Sequence, residues 1–385
     1  MNAPAPSTAA RGRVLIADDQ PAVVEALRLL LKINGYEVQT VHSPAAVLSA
    51  LAEGAQPFDL LLVDLNYSRD TTSGQEGLEL VTRVHARDPQ LPIVAMTAWS
   101  SVPLAVATLR EGSADFVEKP WDNERLLAAV GTHIESGRRW RRARRLEADA
   151  LAVQRRLLER GLPEVEGFEV GVAWTFAESL GGDAFAAAPR PGGRLAVAIG
   201  DVCGKGTPAA LLMASVQASL EELLRSPLPP GEICRRLGRS LQPRLGPDRF
   251  VSFACAVLDP ARGVLTYANA GHPAPLLQGQ RSGPRRLETG GPVLGVVADA
   301  AYDEGRLPLA PGDRLVMVTD GVTEASRAAA GEELGEGRLI EGMRALAALP
   351  AAAASAAILE EARRFAGGTL ADDATVLVID VRHHG

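Results

Sequence analysis

The sequence predicts two folded units of different class: an α/β unit on a five-stranded, doubly wound parallel sheet, then an α+β layered unit. Three observations carry this. From Val14, short apolar runs alternate with amphipathic stretches, as in a parallel sheet covered on both faces. Beyond residue 160, β-like runs come in groups and helical stretches in groups, which suits layers rather than a βαβ series. The 385 residues, 46% of them hydrophobic, are enough for two or three domains, each with its own core.

Taken in order, the start "MNAPAPSTAARGR" has no apolar segment, so residues 1–12 read as a short disordered arm rather than a signal peptide. "VLIAD", "EVQTV", "FDLLLVD", "PIVAMTA" and "DFVE" read as buried strands. The stretches between them, "PAVVEALRLLLKING", "SPAAVLSALAEG", "GQEGLELVTRVHARD" and "SVPLAVATLREG", have helical spacing, with glycine near several ends. "WDNERLLAAVGTHI" supplies a fifth helix. Residues 13–125 are thus the first unit, and 126–160 a helical linker. Leu146, Ala150, Val153 and Leu157 step by four, three and four, a short coiled-coil-like seam through which the chain is expected to form a homodimer. Upstream, "RRWRRARR" reads as a solvated helix face or as a patch for phosphate or an acidic partner.

After "GLPEVEG" the texture changes, and residues 161–385 form the second unit. "FEVGVAWTF", "RLAVAIGD", "FVSFACAVLD", "VLTYANA", "DRLVMVTD" and "TVLVIDV" are β-like, with helical stretches at 208–225, 231–241, 332–347 and 351–366.

Composition excludes several function classes. The net charge of −7 argues against nucleic acid or an anionic membrane as the main partner, and no apolar run approaches the ~18 residues of a membrane-spanning helix. No helix-turn-helix accompanies the arginine run, so a DNA-binding role has no other support. Cys203, Cys234 and Cys255 include no CxxC pair, which fits reduced thiols in a cytoplasmic protein rather than a disulfide framework or a zinc site.

In an open parallel sheet, ligands bind beyond the carboxyl ends of the strands. Those ends carry Asp18 and Asp19, Asp64, Thr97 and Lys119. Clustered carboxylates repel one another unless a cation neutralises them, and a hard divalent ion with oxygen ligands does so. Only Lys32, Lys119 and Lys205 are lysines, every other basic side chain being arginine or histidine. A compact ammonium at 119 fits as a point charge beside a carboxylate where a planar guanidinium does not.

On these residues the first 125 or so resemble response-regulator receiver domains, whose flavodoxin-like fold is the doubly wound sheet expected here. The resemblance implies that Asp64, in "LLVDLN", accepts a phosphoryl group from a sensor histidine kinase. It also implies that Asp19, Asp64 and the Asn66 carbonyl hold Mg²⁺, with Asp18 acting through water. Thr97, Lys119 and the switch aromatic Phe116 support the site. One departure is the long "LNYSRDTTSGQEG" loop beside the acceptor.

The second unit repeats the theme. Asp183, Asp201, Asp320 and Asp372 each lie beside glycine or a second acid at the edge of a β-like run, with no histidine or cysteine cluster. Such a set favours magnesium or manganese over zinc. "GGD", "GDVCGKG", "NAGHP", "TDGVTEA" and "DDATVLV", in that order, resemble the PPM-type serine/threonine phosphatases, a β-sandwich flanked by helices, and in particular their bacterial SpoIIE and RsbU branch. The resemblance implies two Mn²⁺ or Mg²⁺. Asp183, Asp201 and the Val202 carbonyl would hold one ion, Asp201 bridging to a second held by Asp320 and Asp372, with Asp373 in support. Lys205 either positions substrate phosphate or fixes its loop. His272 either protonates the leaving oxygen or holds the turn locally. Cys203, where relatives carry serine, reads as packing, and the further acid that often follows "GGD" is missing. The implied whole is a response regulator whose phosphatase output, gated by Asp64, acts on a phosphorylated STAS-type anti-sigma antagonist. A phosphorylation-gated binding scaffold is the alternative.

Overall fold

Period-two alternation of apolar side chains builds the first sheet. The structure, a computed structural model, describes residues 10–52, 57–67, 75–97, 102–159, 162–246, 248–279, 283–327 and 331–382. Residues 1–9 of the expected arm and 68–74 of the long loop lie outside them. The chain divides into two compact units, residues 1–146 and 147–385.

Unit 1 has strands β1 (Arg13–Ala17), β2 (Glu37–Val41), β3 (Leu60–Asp64), β4 (Ile93–Thr97) and β5 (Asp115–Glu118), all parallel in the order β2-β1-β3-β4-β5. Between them run α1 (Pro21–Ile33), α2 (Pro44–Ala50), α3 (Gln75–Arg87) and α4 (Val102–Arg110). Val14 and Ile16 face Leu27, Leu31, Leu126 and Val130 on one side. Leu15 and Ala17 face Val47, Leu80, Val81 and Val84 on the other. Proline begins α1 and α2, where no amide hydrogen is needed, and Ser43 caps α2 by accepting from Ala46 N at 3.3 Å. Because the strands are parallel, the acids, Thr97 and Lys119 arrive at one edge.

The fifth helix and the stretch expected as a linker are one element, α5 (Asn123–Leu158). Asp122 caps it, accepting from Arg125 N at 2.9 Å. In the arginine run, Arg138 and Arg141 both pair with Asp59, at 2.7 and 2.9 Å, and Arg144 lies 5.0 Å over the Trp140 ring. In the second unit the buried or half-buried residues of α5 are Glu147, Leu151, Gln154, Leu157 and Leu158. Of the expected seam, Leu157 is half-buried, while Leu146 and Val153 are 61% and 59% exposed.

Unit 2 packs two sheets face to face, antiparallel except for the short β10–β13 pair. One runs β13 (Gly290–Gly291), β10 (Val264–Ala270), β9 (Val251–Asp259), β8 (Arg194–Val202), β7 (Ala184–Arg190), with β14 (Gly305–Pro308) also on β10. The other runs β12 (Arg285–Arg286), β11 (Leu276–Gln278), β15 (Arg314–Val318), β16 (Ala374–Val381), β6 (Phe168–Thr175). Leu195, Val197 and Ile199 meet Leu315, Met317, Leu377 and Ile379 between the sheets. The opposite faces carry α6 (Thr207–Arg225) and α7 (Pro230–Leu241) on one side, and α9 (Gly335–Ala345) and α10 (Ala351–Phe365) on the other. A single turn, α8 (Asp320–Thr323), follows β15. This is the layered sandwich expected from sequence. Strand β7 escaped the reading because "AFAAAPR" is alanine-rich and has none of the β-branched residues that mark strands. No described helix is long and apolar enough to cross a membrane.

Gly77 on α3 sits where a Cβ would fall 2.3 Å from Leu65 Cα, immediately after the acceptor strand. Gly77→Ala must therefore push α3 off that backbone, and overpacking of this kind costs about 1–3 kcal/mol. Chemical denaturation of the full chain should show the receiver-side transition at lower denaturant.

Candidate functional site

The strand ends of unit 1 gather Asp18, Asp19 and Asp64, whose ligand oxygens lie within 4.8 Å of one another. Asp18 and Asp64 are buried. Lys119 Nζ reaches both, donating to Asp18 Oδ2 at 2.6 Å and standing 3.0 Å from Asp64 Oδ1. Asp18 Oδ1 accepts from Gln20 N at 2.8 Å. Burial pushes the Asp64 carboxyl above its ordinary value, and Lys119 opposes the shift. Three carboxylates face one ammonium, so the pocket keeps an excess of negative charge that fits a divalent ion. Thr97 is buried at the end of β4, Asn66 is half-buried two residues beyond Asp64, and half-buried Phe116 packs on the α2–α3 side of the core. Sequence reasoning passed over Tyr67, which is 2% exposed and whose hydroxyl is raised by burial and then by Asp64.

In unit 2 the acids come from four chain segments. Asp183 precedes β7, Asp201 lies on β8, Asp320 opens α8, and Asp372 and Asp373 precede β16. Their loops touch at backbone distance. A Cβ at Gly182 would lie 2.8 Å from the Val202 carbonyl and 3.2 Å from Asp201 Oδ1. One at Gly321 would lie 2.0 Å from the Asp373 carbonyl. Glycine is required at both because the ligand-bearing turns are stacked this closely.

Asp183 is 2% exposed. Its Oδ2 accepts from Thr319 Oγ1 at 2.9 Å and Thr375 Oγ1 at 2.7 Å, while Oδ1 is buried without a donor. Thr375 N in turn donates to Thr319 Oγ1 at 2.8 Å. These threonines stand inside the quoted "VTDG" and "DDAT" motifs, and attention to the acids alone overlooks them. Burial and then Asp201 push Asp183 well above its ordinary value. Asp201 is pushed up to about 7 by burial, then by Asp320 and Asp372. Asp320 is raised by burial and then by Asp372. An orphaned carboxylate oxygen among mutually repelling acids fits divalent cations. Among the described residues these acids do not close to 4.8 Å in threes as the first set does.

Asp373 turns away into structure, accepting from Ala177 N at 2.9 Å and Gly182 N at 2.7 Å. Lys205 donates to the Ala371 carbonyl at 2.6 Å and stands 3.3 Å from Asp372 Oδ2, which favours loop fixing over a free phosphate ligand. His272 is bracketed. Its N donates to Asn269 Oδ1 at 2.7 Å, its carbonyl accepts from Asn269 Nδ2 at 2.9 Å, and its Nδ1 meets Ser252 Oγ at 2.9 Å. Burial pushes its imidazole down to about 3. Of the two readings, the geometry favours the turn. Cys203 is half-buried, and Cys234 and Cys255 are buried with sulfurs 3.9 Å apart.

Residues 14–131 match the response regulator receiver domain, and residues 191–382 match stage II sporulation protein E (SpoIIE). The chain joins a receiver domain to a PPM-type phosphatase domain. Phosphoserine phosphatase RsbU of Bacillus subtilis (strain 168) is 30% identical over 176 residues, 46% of this chain and 52% of RsbU. Transcriptional regulatory protein FixJ of Azorhizobium caulinodans is 37% identical over 131 residues, 32% of this chain and 58% of FixJ. The crystal structure of the RsbU and RsbW domains of a Mycobacterium tuberculosis protein aligns with a TM-score of 0.51 at 26% identity, covering 57% of this chain and 62% of that one. The chain thus spans about half the length of the curated relatives it matches.

His272 also fixes a pH dependence. Folded, it takes a proton only near 3, against an ordinary value of 6.5. Between those values unfolding takes up a proton, so the stability linked to a neutral His272 is complete above about pH 6.5 and is lost as pH falls towards 3. Urea unfolding of the phosphatase domain at a series of pH values should show His272→Asn losing stability less steeply than wild type below about pH 6.5.

Proposed function

We propose that the chain is a two-component response regulator whose output is a metal-dependent phosphoserine/phosphothreonine protein phosphatase. The observation that carries this is Asp183, which is buried, gripped through one oxygen by two threonines, and left with the other oxygen without a donor beside Asp201. A carboxylate so arranged costs too much to leave unneutralised, and the similarity to a phosphoserine phosphatase supplies the chemistry.

Asp183, Asp201 and the Val202 carbonyl would hold one ion, and Asp201, Asp320 and Asp372 a second. Mg²⁺ or Mn²⁺ bound there acidifies water and screens phosphoryl charge. The protein's part is to present the acids at fixed separation. Thr319 and Thr375 lock the Asp183 rotamer, Asp373 fixes the Gly182 peptide, and Lys205 ties the loop after β8 to the one before β16. His272, neutral and turned into its bracket, donates no proton to the leaving group.

In the receiver, Asp19, Asp64 and the Asn66 carbonyl would hold Mg²⁺, with Asp18 acting through water. Asp64 would take a phosphoryl group from a sensor histidine kinase, with Lys119 as the cation beside the acquired charge. Thr97 and Phe116 would then register the change. Phosphorylation would gate the phosphatase, the substrate being a phosphorylated STAS-type anti-sigma antagonist in a cytoplasmic partner switch. The exposed Leu146 and Val153 of α5 support pairing with a second copy.

With Mn²⁺, the chain should hydrolyse p-nitrophenyl phosphate and a phosphoserine protein. Asp201→Ala should lower the rate by about a hundred-fold or more, since losing even an outer hydrogen-bonding partner costs a metal site 10–100-fold. Hydrolysis unchanged by that substitution would return the domain to a binding scaffold. For the receiver, acetyl phosphate should shift the chain on a phosphate-affinity gel, and Asp64→Asn should abolish the shift. A shift that survives in the variant would move the acceptor elsewhere.

A further inference from the structure

The two residues that deliver Asp183, Gly181 and Gly182, have no side chain to be held by. A Cβ at Gly181 would meet Phe176 Cδ1 at 2.2 Å and Asp373 Oδ2 at 2.4 Å, and Gly182 is equally confined. The loop can be fixed only through its peptides, and each is fixed from a different element. Gly182 N goes to Asp373, and Val202 N donates to the Gly182 carbonyl at 3.4 Å. The Gly181 peptide goes to α5. Gln154 Nε2 donates to the Gly181 carbonyl at 2.6 Å, and Gly181 N donates to Gln154 Oε1 at 3.1 Å. Both ends of one carboxamide are thus used on one residue, in a side chain only 4% exposed. Two helical turns earlier on the same face, Glu147 accepts from Ser179 Oγ.

We propose that Gln154 is a positioning residue for the metal-binding carboxylate Asp183, acting through the Gly181 peptide. This rests on the phosphatase reading. The carboxamide is matched to the task because Gly181 offers its own N–H and C=O, one donor and one acceptor, and glutamine returns one of each. Methionine at 154 keeps the length and loses both bonds. Glutamate keeps the acceptor for Gly181 N and turns an anionic oxygen towards the Gly181 carbonyl. In either variant the loop keeps its Asp373 anchor, while the paired anchor two residues before the ligand is removed in Met and reduced to one bond facing a repelled carbonyl in Glu. Asp183 then samples positions its partner acids do not share, so cation affinity falls while chemistry at saturating cation remains.

The test uses the full chain carrying Asp19→Asn, which weakens the receiver's own cation site. Bound Mn²⁺ is counted by electron paramagnetic resonance, and Mn²⁺-dependent hydrolysis of p-nitrophenyl phosphate is measured in parallel. Gln154→Met and Gln154→Glu should each weaken Mn²⁺ binding roughly ten-fold, the low end of what outer hydrogen-bonding partners are worth to a metal site. Half-saturation for hydrolysis should shift equally, with kcat at saturating Mn²⁺ near wild type. Arg155→Ala, exposed on the next position of α5, should shift neither. Should Gln154→Met not fold, Gln154→Glu carries the test alone. Wild-type Mn²⁺ affinity in a folded variant, with or without a lower melting temperature, overturns the proposal. Absence of Mn²⁺-dependent hydrolysis in the wild type, with the affinity difference intact, would instead overturn the phosphatase reading and leave the positioning role standing.

Discussion

Like charges brought together at the ends of strands are the constraint on which the rest of this protein depends. Two carboxylates about 4 Å apart repel by roughly 4 kcal/mol at an effective dielectric near 20. That exceeds the roughly 0.5–1.5 kcal/mol net of an ordinary hydrogen bond. Neither acid cluster can therefore stay fully ionised in the fold without countercharge, and each domain answers differently. The receiver inserts one ammonium, Lys119, between Asp18 and Asp64. The phosphatase domain places its nearest ammonium against a carbonyl and Asp372, leaving Asp183 and Asp201 to burial and one another. In the first cluster a buried ammonium offsets the charge, whereas in the second the more exposed Lys205 does so only in part and burial raises the carboxyls instead.

Holding the second cluster falls to groups with no charge of their own. Thr319 and Thr375 are joined to each other as well as to Asp183, so the rotamer of the ligand is set by the register of β15 against β16. Asp373, next to Asp372, is spent on peptide hydrogens rather than on the pocket. Neighbouring acids in one motif thus divide between structure and site.

Much of this was legible in the sequence, and the gaps have physical causes. Strands β3 and β4 were readable because each is a run of buried apolar residues ending in a polar one, whereas "EVQTV", expected to be buried, is the edge strand β2 and is exposed or half-buried along its length. The acids were readable because glycine flanks them. Strand β7 was not, since alanine pairs against β8 without carrying a strand signature. On α5 the sequence drew attention to leucines 146 and 157 and the valine at 153, which outweigh a polar residue in any apolar pattern, and so missed Gln154, which the structure buries. Hydrogen bonding to a distant peptide leaves no periodic trace. For His272, sequence offered two roles, and only the Asn269 bracket favours one.

The helix α5 crosses the line between the compact units, and its last turns are part of the second one. Anyone excising the C-terminal half by sequence texture would cut near residue 161 and discard Leu158 from the wall it shares with Phe185, leaving an open apolar slot. Such a fragment would be soft for reasons unrelated to its catalytic residues, and its sluggishness would be misread as autoregulation. Cutting ahead of Glu147 keeps the sandwich with the strut it was folded around.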